Sequence, residues 1–193
     1  MNRIFATAGL LGGIAWILIG LFPPDWGPPG TRAYEGYQLW NRLWTPALLL
    51  MALGFAGLSL ALRSSLTRWS RGGLVVMLIG WALMALGNFA EFWIFTTESY
   101  TGVGRNASWT TFLFGTLIML LGSTVAGLAL YRTNLIPKWL AVLLALMLPL
   151  VIGIGAINMS WLGWPSGGIT AIIGGYLMVQ KQSQPAHLQE ARR

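Results

Sequence analysis

Five stretches of this chain carry no charged side chain: residues 4–22, 43–62, 72–90, 106–131 and 139–180. Each is long enough to cross a bilayer, whose hydrocarbon core of about 30 Å takes about 20 helical residues. A soluble domain carries roughly 25% charged residues, whereas only 9% of these 193 residues are charged and 55% are hydrophobic. The chain is therefore read as an all-α, polytopic transmembrane bundle. The longest stretch holds 42 residues, about 63 Å of helix at about 1.5 Å per residue, and cannot be one span. Pro165 with Gly163, Gly167 and Gly168 marks the break. Six spans result, 4–22, 44–62, 74–95, 110–131, 139–158 and 165–180, forming one transmembrane domain over 1–180 followed by a polar tail over 181–193.

Charge placement sets the expected orientation. With the N-terminus inside, Arg3, Arg63, Arg68, Arg71, Arg132, Lys138, Lys181, Arg192 and Arg193 are cytoplasmic, leaving Arg32, Arg42 and Arg105 outside. Nine basic residues against three point to cytoplasmic termini by the positive-inside rule. The first span exceeds the 7–15 residues of a signal-peptide core and ends in Pro23 and Pro24 without a small-residue cleavage site, so it is expected to remain attached. The net charge of +7 sits at span ends and not on one polar face, which argues against a nucleic-acid partner.

The chain has no cysteine, and its one histidine is His187 in the tail. These two facts exclude disulfides, thiolate nucleophiles and an intramembrane bis-histidine haem. No cofactor is recognisable; a bound lipid is the expected companion, with membrane lipids and other membrane subunits as partners.

A shift of seventy residues lays Ala56, Gly57, Leu58 and Leu60 on Ala126, Gly127, Leu128 and Leu130, Arg68 and Trp69 on Lys138 and Trp139, and Asn88 on Asn158. This pattern suggests a duplicated helical hairpin, spans 2–3 onto spans 4–5, with both copies in the same orientation. The turn from Tyr131 to Trp139, with Asn134 and Pro137, and the Gly12, Gly13, Trp16 pattern resemble those of small, uncharacterised bacterial polytopic membrane proteins. That resemblance implies the bacterial cytoplasmic membrane and carries no activity.

Glu91 is the one acid within a span. A charge at mid-bilayer costs about 2.5–3.5 kcal/mol or more. It is therefore either a structural ion pair with Arg42 or Arg105, or a carboxylate lining an outward-facing pocket. Asn88, three residues earlier, shares its helical face, and the repeat sets Asn158 at matching depth; with Trp161 and Trp164 these form the candidate ligand site. Tyr37, Trp40 and Trp44 recur at helical spacing opposite Glu35, Gln38 and Arg42, which predicts a short interfacial helix in the first outer loop. Gly9 with Gly13, and Gly167, Ala171 and Gly175, repeat every four residues, a spacing suited to close helix contact.

Three functions fit this pattern. A small accessory or structural subunit packing against larger membrane partners is the leading expectation. A small-molecule binding or transport module follows, since the chain resembles the substrate-binding subunits of energy-coupling-factor vitamin transporters in length, helix number and cytoplasmic termini, though not in motif. A lipid- or isoprenoid-modifying enzyme built on Glu91 is third, weakened by the lack of a second acid or base for proton transfer.

Overall fold

The computed structural model describes residues 3–25, 27–96, 102–157 and 163–180, and among these every regular element is helical. In chain order they are α1 (Arg3–Leu21), α2 (Arg32–Leu62), α3 (Arg68–Phe89), a π turn (Ala90–Ile94), α4 (Val103–Thr133), α5 (Lys138–Ala145), α6 (Met147–Ile157) and α7 (Trp164–Gln180). α1, α2, α3 with its π turn, and α4 are long and apolar enough to cross a membrane. The pair α5 and α6, bent by 53°, makes a fifth if counted as one span. The sixth expected span corresponds to α7, whose 17 residues fall short of the about 20 that a full crossing takes.

The helix ends follow local chemistry. Thr31 and Thr67 cap α2 and α3, their hydroxyls accepting the amides of Tyr34 and Ser70 at 3.2 Å, as N-cap threonines do. Asn134 ends α4 in the left-handed conformation at φ 53°, which asparagine tolerates. Pro137 then starts the next helix, and Lys138 lies 5.4 Å from the Tyr131 ring centroid. The bend after α5 has its cause in Pro149: it lacks an N–H and crowds the carbonyl four residues back, that of Ala145. The helix breaks at Leu146, and the Thr124 hydroxyl donates to the Ala145 carbonyl at 3.4 Å.

Glycine faces hold the bundle together. In α3, Gly73, Gly80 and Gly87 recur every seven residues and abut Ala126, Met119 and Phe112 of α4, while Gly115 and Gly122 of α4 abut Met84 and Met77. A Cβ at any of these would run into the opposing backbone, so the absent side chain is what brings the two antiparallel helices together. α1 is gripped in the same way on two sides. Gly9 meets Gly54 of α2, and Gly13 meets Gly167 and Ala171 of α7, with Gly174 against Leu10. The four-residue stripes seen in the sequence are thus used inside the bundle. Gly175 is the exception, since a Cβ there meets nothing within 4 Å; Gly174 takes the contact.

One expectation differs from the structure, and the duplicated hairpin is not confirmed by it. The segment from Tyr34 to Trp44 is helical, but it is the opening of the 31-residue α2 and not a separate helix on the membrane surface. Its aromatic face has somewhere better to go: Trp40 donates to the Ile19 carbonyl of α1 at 2.8 Å, and Tyr37 packs edge-on to Phe92 of the π turn at 6.1 Å. The helix also continues through Pro46. The seventy-residue shift would set α3 on α5 and α6, yet α3 runs unbroken to the π turn while its counterpart bends at Leu146.

Candidate functional site

A cavity of about 430 Å³ opens within the bundle toward the end where α2 and α4 begin. One wall comes from α2, which contributes Tyr37, Trp40, Asn41 and Trp44, with Trp16 of α1 beside them. The facing wall is α4, with Arg105, Asn106, Trp109, Phe112 and Thr116. Between the walls stand Asn88 of α3 and Glu91 and Phe92 of the π turn, and Gly163 and Ser166 close the side next to α7.

The aromatic surface of the first wall continues into the core, where Trp81 is buried behind the lining residues. Phe92, Tyr37, Trp40, Trp44, Trp16 and Trp81 follow one another with centroid steps of 6.1, 6.5, 5.0, 4.2 and 6.5 Å, mostly in the edge-to-face geometry that favourable ring quadrupoles prefer. Across the cavity Trp109 stacks on Phe112 at 5.6 Å.

The π turn places the acid. Its closing bond runs from the Phe95 amide to the Ala90 carbonyl at 2.9 Å, five residues back. Such single π turns are frequent at functional sites. Here it turns two successive side chains, Glu91 and Phe92, into the bundle, where they are 8% and 4% exposed. The wider turn is fixed from outside: Arg42 donates its Nε to the Phe92 carbonyl at 2.8 Å and lies 5.5 Å from the Trp93 ring centroid. Arg42 is thus committed to the backbone beside Glu91 and not to its carboxylate.

Arg105 is the cation whose charge acts on Glu91. It is 2% exposed in the first turn of α4, where the helix dipole does not favour a cation. It is held by the Tyr34 hydroxyl, which its Nη1 reaches at 3.3 Å, and by the Phe92 ring, 5.9 Å below the guanidinium. Asn88 accepts the Thr45 hydroxyl on its Oδ1 at 2.6 Å, which leaves Nδ2 for the cavity. Asn41 spends Nδ2 on the Tyr37 carbonyl at 2.9 Å and keeps Oδ1. The site therefore sets a carboxylate, a guanidinium, and an amide donor and acceptor from Asn88 and Asn41 inside a mostly aromatic chamber.

Of the residues expected from sequence, Glu91 and Asn88 meet here, and so do Tyr37, Trp40 and Trp44, which were expected on the membrane surface. Trp164 opens α7 and is not among the lining residues, whereas its neighbours Gly163 and Ser166 are. Asn158 and Trp161 lie outside the described residues. Sequence reasoning missed Trp16, Asn41 and Trp109 as parts of one site, and offered Arg105 as an ion-pair partner of Glu91. Trp16 carried a signal, since a tryptophan in the middle of a span is not an interfacial anchor.

The chain matches no protein-family model, and no curated protein or solved structure was found to be similar to it.

Proposed function

We propose that this chain is a small-molecule binding or transport module of the bacterial cytoplasmic membrane. Six spans with both termini cytoplasmic would open its cavity outward. The observation that carries this reading is the cavity itself. At about 430 Å³ it falls within the roughly 300–1,000 Å³ of small-molecule sites, and like them it combines aromatic walls with a few convergent polar groups. A buried carboxylate beside two half-used amides is costly unless something occupies the space.

The accessory-subunit reading drew on the glycine faces as partner surface. Gly9, Gly13, Gly167 and Ala171 are used between α1, α2 and α7, which moves the weight toward the binding module. The enzyme reading has Glu91 alone to work with, and one carboxylate is thin machinery for proton transfer. Native mass spectrometry of the full chain, extracted from its own membrane in mild detergent, tests the proposal. The expected spectrum holds one non-lipid small molecule per chain. A spectrum of stoichiometric larger subunits around a chain without such a molecule would support the accessory reading instead.

A further inference from the structure

The polar groups of the cavity say what kind of molecule it takes. Among the polar groups lining the space are the Glu91 carboxylate and the Asn41 Oδ1, both acceptors, and Asn88 Nδ2 as a donor, with Arg105, Asn106, Thr116 and Ser166 around them. Both arginines near the acid have other work: Arg42 holds the Phe92 carbonyl, and Arg105 is engaged by the Tyr34 hydroxyl and the Phe92 ring. Arg105 already lends charge at Glu91, and a positive group on the ligand beside this buried carboxylate would add to it. Around it lie the rings of Tyr37, Trp40, Trp44, Trp16 and Trp109, and indole and phenol faces attract cations, with quaternary ammonium groups in aromatic cages as the usual case.

We infer that the cavity binds a small organic ammonium ion, its charge set toward Glu91 and its methyl or aryl substituents against the indole and phenol rings. The inference rests on the binding reading above and adds the ligand's class to it. A neutral apolar ligand would leave the acceptors of Glu91 and Asn41 unused. An anion would have to approach the Glu91 carboxylate.

The test uses the purified full chain and three probes of similar shape: benzyltrimethylammonium, its neutral carbon isostere neopentylbenzene, and phenylacetate. Binding is read from tryptophan fluorescence, since four indoles line the cavity. The ammonium probe is expected to saturate and to bind at least about tenfold more tightly than the neutral isostere, the scale of a desolvated cation–π contact with a counter-charge. Glu91→Gln should narrow that preference several-fold, the cation–π part remaining. Equal affinity for the cation and its isostere, or tighter binding of phenylacetate, would overturn the ammonium assignment and leave the binding reading standing. Saturable binding of none of the three, together with lipid as the only retained mass, would overturn both. If Glu91→Gln does not fold, the preference of the unaltered chain decides the matter.

Discussion

Arg42 shows how far a single residue can depart from its sequence role. Its nearness to Glu91 in the sequence reading suggested an ion pair, but its Nε caps the Phe92 carbonyl. That acceptor lies in the last turn before the helix ends at Ile94, where carbonyls have no intrahelical donor, and no side-chain pattern announces which donor meets it. Arg42→Ala should leave the carbonyl unmet and cost about 1–3 kcal/mol, read as a lower melting temperature in detergent. Arg42→Lys, with no planar guanidinium to lie against Trp93, should recover only part. Thr45→Val is expected to cost less, about 0.6–1.7 kcal/mol, the range for hydrogen bonds between membrane helices, because it removes one bond to Asn88. An equal loss from both changes would contradict the role assigned to the π turn. The Glu91 and Asn88 pairing, by contrast, was legible from three-residue spacing alone, since it needs only helical geometry.

At the scale of elements, the sequence showed where apolar helices run but not how they bend or touch. The starts of α2 and α3 follow from Thr31 and Thr67, and the end of α4 from Asn134. The break at Leu146 follows from Pro149, yet Pro46 leaves α2 continuous, so proline alone did not settle the helix count. The seven-residue recurrence of Gly73, Gly80 and Gly87 was present in the sequence, and its meaning rested on α4 offering Gly115 and Gly122 at the same period. Gly80→Ala drives a Cβ into the Met119 backbone, and overpacking of this kind costs about 1–3 kcal/mol. Gly72→Ala meets open space and should be neutral or stabilising by up to about 1 kcal/mol. Thermal unfolding of the two variants side by side checks the glycine contact; matching melting temperatures would argue against it.

For the whole molecule, hydropathy made the membrane class plain, whereas the cavity was not legible. It is assembled from α1, α2, α3, the π turn, α4, α6 and α7, elements far apart in the chain, and its aromatic wall resembled a surface belt when read as sequence. The proposed orientation predicts that reporter fusions at Gly30 and Gly102 read outside and those at Ser65 and Asn134 read inside; reversal at two of these sites would contradict it. The account's central claim is that the chamber is meant to be filled by a ligand. Thr116 lines it, while Leu117, its neighbour on α4, is 53% exposed on the outer surface of the bundle. The decisive measurement is the small-molecule mass retained by Thr116→Trp and by Leu117→Trp after purification from the native membrane. The account predicts that Thr116→Trp loses the bound molecule while remaining folded and that Leu117→Trp keeps it. Retention of the same molecule by both variants would contradict it.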